Sequence, residues 1–225
     1  MASTTTSARS TVSDFEDEIV VETIPMSYED FLEWYDGDAG RRGEWVDGEV
    51  IPFMTTSDRH QRIISILVSL LTNYLLLRPG GQVFSQTFEL RSRERAAREP
   101  DILVVLDRNR DRVQSVRVVG AADLVVEVVS PDSVTRDRRV KFAEYAAAGV
   151  PEYWLVDPRD GREAIDVFTL DGRGGYKAVL ADTSGRLMSS SLPGLWAHPG
   201  WLVGDDMPDV IRLAMRMAGV DSISN

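Results

Sequence analysis

Apolar and polar positions along the chain change period several times, and each change marks an element. Ser27, followed by Asp30 and then by Phe31 and Trp34, has the form of a capping box and predicts a first helix. EWV and EVI on either side of Asp47-Gly48 predict a hairpin over 44–51, since that dipeptide suits a type I′ turn. A long apolar helix is expected from about 58 to 77, stopped by Pro79-Gly80-Gly81. QVFSQTFEL (82–90) alternates with a period of two and reads as one half-buried strand. The Arg-rich RSRERAAR (91–98) reads as a loop, and DILVVL (101–106) and DLVVEVVS (123–130) read as apolar strands. Ser133 or Thr135 can cap a helix RDRRVKFAEYAAA, ended by Gly149. EYWLVD, EAIDVFTL and YKAVL are strands divided by the turn clusters DPRDG and DGRGG, and an amphipathic helix is expected around 207–217. Helices before and after a central group of strands predict an α/β or α+β domain with a mixed β-sheet flanked by helices. The expected organisation is a disordered acidic tail (1–24), a main domain (25–180) and a C-terminal extension carrying the amphipathic helix (181–225).

Composition narrows the chemistry. The 225 residues include no Cys and only two His, His60 and His198. That excludes disulfides, thiolate nucleophiles, thiolate zinc sites and any multi-histidine metal site, so metal chemistry here has to run on carboxylates. The run IISILVSLLTNYLLL (63–77) falls short of the ~20 residues of a membrane span and is interrupted by Ser65, Ser69, Thr72 and Asn73. A buried helix in a cytoplasmic protein without a membrane partner is the expectation, and residues 1–13 carry no apolar leader core.

The net charge of −11 argues against a nucleic-acid partner until its distribution is considered. Residues 1–50 hold thirteen acids and three basic residues, so the rest of the chain is close to neutral. The basic residues are almost all Arg; Lys141 and Lys177 are the two lysines. In a chain that defaults to Arg, a Lys is a position to question, because its compact ammonium does different work from a guanidinium.

Glu127, in the middle of LVVEVVS, is the least routine residue. A carboxylate inside a doubly apolar strand is costly unless it is paired or holds a cation. Its alternatives are a buried ion pair with an Arg or an edge strand facing water. Asp101 opens another apolar strand, where an acid after Pro is also a common turn residue. The two could converge if their strands are neighbours, and convergent carboxylates suit Mg²⁺ or Mn²⁺.

EPD at 99–101, LVVEVVSPDS at 124–133 and RDRRVKFAEYAAAGVPEYWLVD at 136–157, with GEWVDGEV at 43–50, resemble the Uma-type restriction-endonuclease family of the PD-(D/E)XK nuclease superfamily. The likeness covers roughly residues 25–180. It implies a restriction-endonuclease-like core and a metal-dependent endonuclease hydrolysing DNA phosphodiester bonds. Pro100-Asp101 stands at the superfamily's PD and Glu127 at its acidic position, so Asp101 and Glu127 are implied catalytic residues and metal ligands, with the carbonyl of Val128 beside them. The lysine expected two residues after the glutamate is absent, since Val129 stands there. The likeness points to Lys141, on the following helix, in its place; the alternative is a surface i,i+4 pair with Asp137. Glu44 matches the family's N-terminal acidic ligand, or is an exposed cross-strand partner beside the hairpin. His60 matches a position near the start of the long helix, or is a solvated residue of its first turn. Asp137 and Tyr145 share a helical face with Lys141 and are candidate supporting groups.

A DNA partner would draw phosphate contacts from Arg. Segment 91–117 carries eight of them against five acids, and Arg136, Arg138 and Arg139 lie next to the candidate site. A solvated Arg face is the plain alternative. The apolar strands EYWLVD and EAIDVFTL and the Leu-rich helix offer surface for a homodimer, which would supply two active sites. Two other functions stay open: a nuclease-fold protein that binds nucleic acid without cutting, and a metal-dependent hydrolase of a smaller phosphoester.

Overall fold

The computed structural model describes residues 21–36, 42–86, 88–202 and 208–220. The expected tail falls almost wholly outside them. The strands, in chain order, are β1 (Ile24–Pro25), β2 (Gly43–Val46), β3 (Glu49–Pro52), β4 (Gly81–Ser85), β5 (Glu89–Arg93), β6 (Ala96–Arg98), β7 (Ile102–Leu106), β8 (Arg117–Val119), β9 (Leu124–Val128), β10 (Glu152–Asp157), β11 (Ala164–Leu170), β12 (Tyr176–Ala178), β13 (Leu187–Met188) and β14 (Trp196–Ala197). The α-helices are α1 (Tyr28–Asp36), α2 (Asp58–Leu77), α3 (Phe142–Ala147) and α4 (Val210–Ala218), with a π-helical turn, Arg136–Lys141, leading directly into α3.

Local chemistry accounts for the boundaries. The Ser27 hydroxyl accepts from the Asp30 N–H at 3.0 Å and donates to the Asp30 carboxylate, which starts α1. Asp47 and Gly48 both take positive φ, 53° and 97°, as the I′ turn between β2 and β3 requires. Ser57 caps α2 by accepting from the His60 N–H.

Two expectations are corrected. Residues 82–90 are not one strand: at Gln86 the backbone turns left-handed (φ 35°), and β4 and β5 part into different sheets. Residues 91–98 are not a loop but most of the β5–β6 hairpin. Their arginines do not hold the segment in solvent because they find carboxylates: Arg93 grips Asp47, and Arg98 is buried between Glu44 and Glu144.

One six-stranded sheet runs β1-β3-β2-β6-β5-β8 and a second runs β12-β11-β10-β9-β7-β4. Both are mixed, each with one parallel pair, β5–β8 and β9–β10. The parallel step from β9 to β10 demands a crossover, and the 136–147 helix supplies it. On one face of the second sheet, Ile102, Val104, Leu124 and Val126 pack on Ile63, Leu67, Leu70 and Leu71 of α2. On the other face, Leu103, Val105, Val125 and Val129 pack with Leu90 and Val118 of the first sheet. Phe31 of α1 packs on Trp45, Val50 and Ala97.

By length and composition α2 is apolar enough to cross a membrane, yet the apolar face it carries is buried against the sheet and α4. The described part of 181–225 joins that same core through Leu187, Leu195, Trp196, Ala214 and Met217. Glu152, fully buried, ties it down by accepting from the side chains of Ser189 and Ser190 and from the N–H groups of Ser190 and Ser191. EYWLVD is β10, buried along its whole length, so this strand is consumed inside the protomer and offers no dimer surface.

Candidate active site

Asp101 and Glu127 are brought together by strand register. β7 and β9 are antiparallel, with Ile102 opposite Val126 and Val104 opposite Leu124. One step further out, Asp101 faces Glu127 from the same side of the sheet, where directly opposed side chains have Cβ atoms ~5 Å apart. Both line one cavity of about 290 Å³. Asp101 Oδ2 accepts from the Val128 N–H at 2.7 Å, which fixes the acid against the neighbouring strand. On Glu127 one oxygen carries both hydrogen bonds: Oε1 accepts from Lys141 Nζ at 2.9 Å and from the Tyr145 hydroxyl at 2.8 Å. Oε2 is left for another partner.

The crossover helix presents Asp137, Lys141 and Tyr145 to the site, all three buried. Lys141 Nζ stands 2.9 Å from Glu44, 2.9 Å from Glu127 and 3.5 Å from Asp137. The surface-pair reading of Lys141 is therefore wrong, because its ammonium is 4% exposed and enclosed by carboxylates. Ser133 donates to the other Asp137 oxygen, Oδ2, while Oδ1 is buried without a hydrogen-bond partner. The π-helical turn lies at this point, a feature that recurs where a helix is shaped by a site.

Glu44 is fully buried, not exposed beside its hairpin. Its Oε2 accepts from Arg98 at 3.0 Å; its Oε1 accepts from Lys141 and from the Glu99 N–H. Burial pushes Glu44 up, but the charges of Lys141 and Arg98 overwhelm that and hold it at about 2. Glu127 moves the other way: burial raises it, Lys141 pulls it down, and the charges of Asp137 and Asp101 add to the rise. Burial likewise raises Asp137. With Arg98 given to Glu44 and Glu144 and Arg136 to Asp132, the Lys141 ammonium is left to face Glu127 and Asp137 with Asp101 beside them, a surplus that favours a proton or another cation.

His60 is also buried, because the first turn of α2 lies over the end of β9. Its Nε2 is 2.9 Å from the Val128 carbonyl and 3.6 Å from Asp101 Oδ2, and its Nδ1 has no partner. Sequence reading missed Glu99 and Phe53 as site residues and counted Arg98 among the candidate phosphate contacts. Glu99 lines the cavity with a buried, unpartnered Oε2 and is lifted by burial to about 7. Arg98 anchors Glu44. Phe53 stands 38% exposed in the cavity lining. Only the Glu-Pro-Asp run hinted at Glu99; nothing local marks the other two.

The model of the Uma2 family, described as "Putative restriction endonuclease", matches residues 28–202. The chain belongs to the Uma2 family. The Uma2 match runs past residue 180, in keeping with a C-terminal segment built into the core. Among solved structures, the fold is similar to that of a putative nuclease belonging to DUF820 from Anabaena variabilis, with a TM-score of 0.64 and 16% identity over 84% of this chain and 99% of that one. No curated protein matches the sequence. The expected restriction-endonuclease-like α/β architecture is thereby borne out.

Within this Uma2 fold, Val129 is buried in the apolar layer on the Glu127 face, and Lys141 reaches the glutamate from the helix instead. Among the described residues, no three His, Asp or Glu side chains form a ready-made metal cage. Mg²⁺ does not need one, since it commonly takes one or two carboxylates and completes its shell with water and phosphate. The arginines expected to meet phosphate are largely committed internally. Arg138 pairs with Asp157, Arg136 with Asp132, Arg93 and Arg95 with Asp47, Arg108 with Asp123 and Arg117 with Glu89. Arg139 is exposed on the crossover helix.

Proposed function

We propose that this protein is a metal-dependent endonuclease that hydrolyses DNA phosphodiester bonds at the Asp101–Glu127 cavity. The observation that carries the reading is the carboxylate surplus: two acids opposed in register, with oxygens of Asp137 and Glu99 buried in the same cavity without a hydrogen bond. An all-oxygen donor set of this kind fits Mg²⁺ or Mn²⁺, with Asp101, Glu127 and the Val128 carbonyl as the groups that would hold it. Bound there, the ion would supply an activated water and charge stabilisation at the phosphoryl oxygens. Lys141 brings a fixed positive charge to the carboxylate pair. Tyr145 and Lys141 both hold Glu127 Oε1 and so set the direction of Oε2. Glu44, with both oxygens taken, is assigned to positioning Lys141 and Arg98 instead of to the cation.

The test is nicking of supercoiled plasmid with Mg²⁺ or Mn²⁺. Wild type should nick only with metal, and Glu127→Ala and Lys141→Met should both lose the activity while remaining folded by circular dichroism. Loss in Glu127→Ala alone would remove Lys141 from the chemistry. A folded, metal-supplied wild type that cuts neither plasmid nor single strands would favour a binder without catalysis.

A further inference from the structure

We propose that the cavity takes an unpaired nucleotide, so that the preferred substrate is single-stranded DNA and not a duplex. The inference rests on the nuclease reading above and adds the substrate class to it. Three features of the mouth carry it. First, its lip is apolar: Phe53 and Met54, in the connection from β3 to α2, are 38% and 45% exposed and both line the cavity. An aromatic side chain exposed beside a phosphodiester site offers a surface on which an unpaired base can stack, whatever its sequence. Gln61 and Gln86 stand in the same lining and add amide donors and acceptors of the kind that meet base edges.

Second, the charge around the cavity gives little purchase on the two backbones of a duplex, so affinity has to come from stacking on an unpaired base. A protein that grips double-stranded DNA does so mainly through Lys and Arg laid along both backbones. Among the described residues the cavity carries five carboxylates against Arg42, Arg136 and Lys141. Arg136 lies on Asp132 and Lys141 on Glu127. Of the arginines further out, Arg93, Arg98 and Arg138 are tied to Asp47, Glu44, Glu144 and Asp157, while Arg139 is exposed on the crossover helix. Third, about 290 Å³ is just below the ~300–1,000 Å³ typical of small-ligand sites, which limits the occupant to about one nucleotide. Within a stacked duplex the base beside the scissile phosphate faces its partner and leaves the Phe53 platform empty.

The experiment uses the full chain, a fluorescein-labelled single strand of mixed sequence, and the same strand annealed to its complement. Binding is measured by anisotropy with Ca²⁺, and cutting with Mn²⁺. The single strand should bind at least tenfold more tightly than the duplex. The salt dependence should be shallow, with a log–log slope near about −1, as one or two phosphate contacts give. Phe53→Ala should weaken single-strand binding by about tenfold, Phe53→Trp should restore it, and duplex binding should change in neither. Equal or tighter duplex binding, or a Phe53→Ala variant that binds the single strand like wild type, would overturn the proposal. Cutting of duplex without strand preference would leave the nuclease standing and remove this inference. Single-strand preference without any cutting would do the reverse.

Discussion

A single ammonium, that of Lys141, is shared by Glu44, Glu127 and Asp137, and the balance of this cluster governs what each residue tolerates. Removing Glu44 takes one carboxylate from each of two buried cations, leaving Arg98 with Glu144 and Lys141 with Glu127 and Asp137. Glu44→Ala should therefore lower stability in urea unfolding, by less than the ~3–5 kcal/mol that leaving a buried charge with no partner costs. Tyr145→Phe is gentler, because it deletes one of two hydrogen bonds on Glu127 Oε1 and leaves the ring in place. It should keep the fold and weaken Mn²⁺ binding, measured calorimetrically, by ~10–100-fold, as loss of a group that orients a ligand does. Lys141 could be singled out from sequence because the chain almost never uses Lys, and Glu127 because Val surrounds it. Glu44 and His60 offered both an exposed and a functional reading, since burial of a hairpin residue and of a helix's first turn depends on what packs over them. For Glu44 that is the crossover helix; for His60 it is the end of β9.

At the level of elements, the crossover helix is the part on which the site depends most. It is pinned to the far end of β10, where Asp157 accepts from Arg138 and Arg159 at 2.8 Å each. Burial raises Asp157, but hydrogen bonds from those two guanidiniums win and hold it below the usual carboxylate range. A depressed carboxyl contributes stability that is present above its ordinary value and lost as pH falls through the folded value. Asp157→Asn should thus be less stable than wild type at pH 7, and the gap should close in thermal melts taken towards pH 3. The helix itself was legible from its apolar spacing and from Gly149, which ends it at φ 82°. Its π-helical turn was not, because one extra residue in a turn leaves the amphipathic pattern nearly unchanged. The break at Gln86 was invisible for a similar reason: period-two alternation continues straight across it, and only the departure of β5 into another sheet reveals two strands.

For the whole molecule, the second sheet is closed on the α2 side by the C-terminal hairpin and α4, not by α2 alone. Gly194, at φ 93°, lets the loop before β14 pass under α4, and a Cβ there would lie 2.6 Å from the Met217 carbonyl oxygen. Gly194→Ala should cost at least about 1–2 kcal/mol from the left-handed backbone, with the clash added, and lower the melting temperature accordingly. The mixed, helix-flanked sheet was readable from the order of periodic segments. Division into two sheets was not, since nothing in β4, β5 or β6 says which neighbour each will choose. Sequence also set 181–225 apart, because strands of two residues carry no periodicity of their own.

The β7–β9 pairing has one more consequence. Asp101 and Glu127 are read in the same frame as Ile102, Val104, Leu124 and Val126. A slip of one residue between the two strands would turn one of the two acids away from the cavity and onto the apolar face packed against α2. The cost of burying that misplaced carboxylate therefore acts as a proofreader for the geometry of the cavity, and packing disfavours a molecule that is folded but misassembled there. In any preparation, the fraction of molecules able to bind Mn²⁺ should equal the fraction that unfolds cooperatively.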